Sequence, residues 1–202
     1  MWNDSIIEAV RGTPLQELRL DDLLGIDFAR VVVGTIVQKR DAITALINRL
    51  KYETVVERAR LTEELVRRAR VQPPLDLMLT SEQVRTMRSA DMQIGAHTVS
   101  HPILAKLDRV EAAAEIHQSK HYLENLLGEP IRLFAYPNGK PEVDYNAQSV
   151  SVVRQLGFDA AVTTRWAAST VDTDLFQIPR FTPWDRGRFR FGARMIGNLR
   201  AR

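Results

Sequence analysis

The chain has 202 residues, 45% hydrophobic and 26% charged, which is enough for a full core and leaves no low-complexity tract. It has no cysteine, which excludes a disulfide framework and any thiolate metal site. The net charge of +3 and pI of about 9.4 reflect a mild arginine excess, and no nucleic-acid-binding motif accompanies it.

The amino terminus, Met-Trp-Asn-Asp-Ser, has neither a basic region nor an apolar core of the signal-peptide kind. No run approaches the ~20 apolar residues of a membrane span. The expected location is cytoplasmic, an expectation that weakens if the native start lies upstream of Met1.

Asn3 or Asp4 is placed to cap a short helix through Ile6, Ile7 and Val10, ending near Gly12. Between Pro14 and Val33 the periodicity is weak, and Leu18, Leu20, Ile26 and Phe28 suggest short extended pieces. Asp41 to Leu50 reads as a helix with Ile43, Leu46, Ile47 and Leu50 on one stripe. Tyr52 to Arg70 reads as a second, highly charged helix buried through Val55, Val56, Leu61, Leu65 and Val66, and Pro73-Pro74 stops it. Ser81 is expected to cap a helix through Val84 and Met87.

From here helices and strands alternate. Met92, Ile94 and Ala96 form the end of a buried strand, and Pro102 suits the first position of a following helix. Asp108 with Glu111 forms a capping box for a long helix ending at Gly128. A strand over Ile131–Tyr136, a helix over Asn146–Leu156, a strand over Ala160–Thr164 and a last candidate strand over Phe176–Phe181 follow. This alternation calls for parallel strands with crossover helices. The carboxyl end gathers Arg186, Arg188, Arg190, Arg194, Arg200 and Arg202, a tail suited to solvent or to anionic groups.

Gly95-Ala96-His97-Thr98-Val99-Ser100-His101-Pro102 puts two imidazoles on one strand-to-helix connection, where parallel α/β folds bind ligands. Two imidazoles at this spacing can hold a borderline-soft cation such as zinc. A capping loop that happens to carry histidines is the competing reading. A second stretch, Arg132-Leu133-Phe134-Ala135-Tyr136-Pro137-Asn138-Gly139, is an apolar strand closed by a turn.

His-Thr-x-x-His-Pro followed by Phe-Ala-Tyr-Pro-x-Gly resembles the polysaccharide deacetylases of the NodB-homology type, carbohydrate esterase family four, and in particular those found with exopolysaccharide synthesis systems. The likeness runs from about Leu77 to Trp184 and more loosely back to Trp2. It implies an α/β fold: an incomplete NodB-like (β/α) barrel with parallel strands and an N-terminal helical segment. The corresponding division is 1–75, mainly helical and similar to an insertion some members carry; 76–185, a partial deacetylase domain; and 186–202, the basic tail.

The resemblance implies metal-dependent hydrolysis of N-acetyl groups, a carbon–nitrogen but non-peptide bond, on a sugar polymer. In the family an aspartate and two histidines hold the metal, and a neighbouring aspartate is the general base. Both aspartates belong to a Thr-Phe-Asp-Asp-Gly motif that this sequence lacks. His97 and His101 match the histidine ligands. Zinc is the favoured divalent ion, with cobalt or nickel next. Weak binding is expected because the third ligand is missing. The backbone N–H of Asn138 matches the oxyanion donor, and Tyr136 belongs to the same wall of the site. Ala135 stands where many relatives carry an arginine that steadies the base. Arg165 and Trp166 follow the strand ending at Thr164, where relatives contact substrate; Trp166 is suited to stack on a sugar face or, equally, to form the edge of the core, and Arg180 and Trp184 close the last strand. No histidine occupies the place of the usual general acid.

Two other groups carry side chains that could ligate a metal or serve as base. Asp21-Asp22 precedes the histidines, but Leu18-Arg19-Leu20 before it and Leu23-Leu24 after it fit a surface turn better than the aspartate motif. His117 and His121 share one helix face and read as a polar flank rather than a metal site. Three functional readings follow: a hydrolase acting on an N-acetylated polysaccharide; a catalytically dead relative that binds glycan or a partner; and a truncated chain, inactive alone, that self-associates through an open sheet edge.

Overall fold

The computed structural model describes residues 1–181 and 185–200, so Trp184 lies outside the described residues. The chain divides into two compact units, Met1–Gln83 and Val84–Arg202.

In the first unit, α1 (Trp2–Gly12) buries Ile6, Ala9 and Val10. β1 (Glu17–Leu18) pairs antiparallel with β2 (Val31–Val32). Between them lie α2 (Asp21–Leu24) and a 3₁₀ turn at Ile26–Phe28, so Ile26 and Phe28 are not extended as expected. Gly25, at φ +102°, ends α2 and reverses the chain before any strand can form. α3 (Ile36–Leu50) starts five residues before the predicted position. Thr35 and Gln38 cap it reciprocally, a box that outweighs the weak apolar pattern there. α4 (Val55–Ala69) is capped by Thr54 and buries Leu61, Leu65 and Ala69. Val55 and Val56, expected inside, are exposed, Val56 by 80%. Both sit in the first turn, and the packed stripe begins one turn later, at Arg58 beneath the Trp2 ring.

The unit boundary falls within α5 (Ser81–Ser89). Its cap is Thr80 rather than Ser81, because Thr80 and Gln83 exchange hydrogen bonds between side chains and backbone.

The second unit holds a parallel sheet. β3 (Leu133–Ala135) pairs with β4 (Ala160–Val162), Ala96 bridges Phe134, and Ile178 bridges Val162. The order across the sheet is therefore Ala96, β3, β4, Ile178, all parallel. Phe176 belongs to a 3₁₀ turn, Leu175–Gln177, so the last predicted strand shrinks to the bridge at Ile178. Pro102 does not start a helix either. A 3₁₀ turn at Leu104–Lys106 intervenes, and α6 (Arg109–Leu127) begins after Asp108. The Asp108–Glu111 box and the left-handed Gly128 cap bound α6 as the sequence predicts. α7 (Ala147–Gln155) is capped by Asn146, and α8 (Arg188–Arg200) forms from the basic carboxyl end. The core gathers Ala96, Ile116, Phe134, Tyr136, Tyr145, Val153, Phe158 and Ala161 beneath the helices.

Candidate functional site

The site is built on the carboxyl ends of adjacent parallel strands. Ala96 donates its N–H to Leu133 O at 2.8 Å, and Ala135 donates to Ala96 O at 2.9 Å. This pairing sets His97 beside Ala135, and His97 Nδ1 lies 2.7 Å from Ala135 O. A carbonyl oxygen only accepts, so Nδ1 carries the proton and Nε2 keeps its lone pair for another partner. Such a carbonyl bond is also how metal-binding imidazoles are commonly oriented.

The chain then turns sharply. Thr98 and His101 both take left-handed backbone angles, φ +60° and +57°. This brings the His97 and His101 rings to 4.9 Å between centroids, at 73° to each other. One cation bound ~2.0–2.1 Å from each ring nitrogen suits that separation.

The second wall is the turn after β3. Asn138 (φ +57°) and Gly139 (φ +75°) are both left-handed. Thr164 locks the turn to the end of β4: its hydroxyl donates to Asn138 O at 2.6 Å and its N–H donates to Gly139 O at 2.9 Å. Asn138 is an exposed residue.

Tyr136 is different. Its ring is 1% exposed and stacks on Tyr145 at 3.9 Å. Its hydroxyl donates to Phe176 O at 3.0 Å, and burial pushes its pKa up. The side chain is therefore a core group, and only its backbone belongs to the wall.

Arg180 is close enough to His97 to influence its charge. Loss of hydration pulls the His97 pKa below the ordinary value even though the ring keeps solvent access. Repulsion from Arg180 acts in the same direction, against the opposing pull of the Ala135 carbonyl. A neutral imidazole is the ligand form. Trp166 is half-exposed, with Phe181 edge-on at 4.5 Å and the Arg194 guanidinium 5.9 Å from its ring centre. Arg165 lines a separate polar cavity of about 300 Å³ with Tyr145, Thr163, Asp172 and Asp174.

The donor set fits a divalent cation in part. Two imidazoles converge, whereas a hydrolytic zinc has about three protein ligands. Among the described residues no group of three or more His, Cys, Asp or Glu is placed to hold an ion. Asp22 is engaged elsewhere: Arg68 Nη2 donates to it at 2.6 Å, and that bond holds its pKa low. His117 and His121 stack at 5.8 Å, exposed on α6. No sequence motif marks Glu115 as part of this site. Its only local signal is an acidic residue beside buried Ile116, and its partners lie on the histidine loop.

Residues 37–161, more than half of the chain, match the family model for polysaccharide deacetylases. The chain belongs to the polysaccharide deacetylase family. The chain is 26% identical over 102 residues to YxkH of Bacillus subtilis, a protein whose name places it among polysaccharide deacetylases. That match covers 50% of this chain and 35% of YxkH. Among solved structures, the Streptococcus pyogenes deacetylase PplD in complex with acetate is similar, with 27% identity and a TM-score of 0.49 over 52% of this chain and 45% of PplD. The BpsB deacetylase domain of Bordetella bronchiseptica gives 19% identity and a TM-score of 0.47 over 55% of this chain and 51% of that one. The chain thus spans about a third of the curated relative and about half of these structures. No helix among the described residues is long and apolar enough to cross a membrane.

Proposed function

We propose that this chain carries the histidine half of a metal-dependent deacetylase site acting on an N-acetylated, exopolysaccharide-type polymer. One observation carries the reading: His97 and His101 converge at the end of one parallel strand, opposite the Asn138 turn at the end of the next. His97 and His101 would hold the ion, preferably zinc. When bound, a divalent ion polarises an acyl oxygen and lowers the pKa of water. Other residues of the chain supply further parts of the site. Ala135 O fixes the His97 tautomer. The backbone N–H of Asn138 would be the donor to a developing oxyanion. The half-exposed Trp166 ring would stack on a sugar face and the exposed Arg180 would donate to its hydroxyls, while Arg165 would contact the polymer from its own polar cavity. The parallel order Ala96, β3, β4, Ile178 supports reading the second unit as part of a (β/α) barrel.

No described residue is assigned as third ligand or as general base. General-base assistance is worth ~10²–10⁴ in rate. The chain alone is therefore expected to bind zinc weakly and to release no acetate above background from N-acetylglucosamine oligomers with added zinc or cobalt. Calorimetry with zinc on the parent and on His97→Ala tests the site: equal affinity would move it elsewhere, with His117 and His121 next in line. Robust turnover abolished by Asp22→Asn would overturn the assignment and return the base to the Asp21-Asp22 pair. The specific absence of a third donor among the described residues also favours a second reading, a glycan-binding relative without turnover. Binding of the oligomers without hydrolysis, even when a base-bearing partner segment is supplied, is the outcome that selects it.

A further inference from the structure

The loop between the two histidines is held by a side chain from outside it. Val99 N and Ser100 N donate to Glu115 Oε2 at 2.8 and 2.9 Å, and Ser100 Oγ donates to Oε1 at 2.6 Å. One carboxylate thus accepts three hydrogen bonds from two adjacent residues of a four-residue step. It reaches them from α6, a helix fixed at its start by the Asp108–Glu111 box and seated in the core through Ala112 and Ile116.

The loop needs such a hold. Thr98 and His101 lie at positive φ, and a β-branched threonine there is a genuine outlier. Conformations of this kind persist only where their surroundings over-determine them. Thr98 Oγ1 contributes only a bond to His97 O within the loop, at 2.6 Å. Glu115 ties the middle of the loop to a rigid element. It is not a spare metal ligand, because three of its roughly four acceptor sites are already taken.

We propose that Glu115 is a positioning residue. It clamps Val99 and Ser100 so that His97 and His101 present their rings to a single divalent cation. This rests on the reading of the pair as a cation site.

The test uses the full chain with cobalt(II), whose visible absorption reports ligand geometry. The variants are Glu115→Ala, Glu115→Gln, His97→Ala and the Glu115→Ala/His97→Ala double. Glu115→Ala should weaken cobalt binding about tenfold, the lower end of the ~10–100-fold seen when outer-shell partners are removed, and should alter the spectrum. Glu115→Gln, which keeps one acceptor oxygen, should fall between. In the His97→Ala background Glu115→Ala should do nothing more. In metal-free protein, Glu115→Ala should move the His97 and His101 ring nitrogen shifts and speed amide exchange at Val99 and Ser100. Protection at Phe134 and Ala161 should stay intact. If Glu115→Ala does not fold, Glu115→Gln is judged by the same readouts. Unmoved ring shifts, or parental cobalt affinity in Glu115→Ala while His97→Ala binds weakly, would overturn the proposal. If His97→Ala binds cobalt like the parent, the cation reading fails instead, and the ring shifts alone decide whether the clamp exists.

Discussion

Replacing Gly139 with alanine should destabilise the second unit more than the same change at Gly128, and the difference can be worked from the structure. Both glycines are left-handed, at φ +75° and +69°. A side chain in that region costs roughly 1–2 kcal/mol. The two positions differ in space. A Cβ at Gly128 meets nothing within 4 Å. A Cβ at Gly139 falls 2.9 Å from Thr164 N, 3.1 Å from Thr164 Cγ2 and 3.2 Å from Tyr136 O. Two of those three atoms are backbone, and the Thr164 N–H is itself bonded to Gly139 O. Neither can step aside without breaking the turn-to-strand lock. Overpacking of this kind adds about 1–3 kcal/mol. Gly128→Ala should therefore cost about 1–2 kcal/mol and Gly139→Ala roughly 2–5 kcal/mol on the same scale. Urea unfolding gives both values, with amide exchange at Phe134 and Ala161 as a probe confined to the second unit. Equal losses in the two variants would refute the reasoning and show that the β3 turn is not pressed against the end of β4.

Two further outcomes are expected. Lys120 Nζ donates to Leu156 O at 2.7 Å and Gly157 O at 3.1 Å, closing the end of α7, and lies 4.6 Å from the Phe158 ring centre. Lys120→Met keeps the stem but loses the donors, and should lower stability by about 1.5 kcal/mol, the low end for bonds from a charged group; an unchanged urea midpoint would show that water replaces them fully. Glu64 on α4 is held at about 2 by hydrogen bonds from Arg67 and then Arg68. A lowered carboxylate contributes stability that is complete above its ordinary 4.5 and is lost as pH falls through about 2. Its carboxyl carbon should titrate well below 4.5 by NMR, and Arg68→Gln should raise the midpoint; an ordinary midpoint in the parent would mean the cluster is not formed in solution.

What was legible in the sequence is what local chemistry decides. Asp108 and Glu111 satisfy each other's orphan donors across a single turn, so α6 could be read with its Gly128 stop. Asn146 announced α7 in the same way. The spacing of His97 and His101 put both residues on one connection, but it took the left-handed angles at Thr98 and His101 to bring their rings together. Where two local signals compete, reading fails. Pro102 looked like a helix start, yet the chain makes a 3₁₀ turn first, and the buried Ile103 and Leu104 reach the core there.

The tertiary structure alone decided the rest, because it depends on which strands lie side by side. Parallel pairing of Ala96 with Phe134 delivers Ala135 O to His97 from 38 residues away. Packing of the chain after β4 against that sheet brings Arg180 near the same ring and closes Phe176 O over the Tyr136 hydroxyl, turning an expected site residue into core. Glu115 joins the histidine loop only because α6, the crossover from that loop to β3, brings its carboxylate back to Val99 and Ser100. Hydrogen bonds between neighbours in sequence are set by residue type and spacing. Those between distant segments wait on strand order, which no single stretch of this chain encodes.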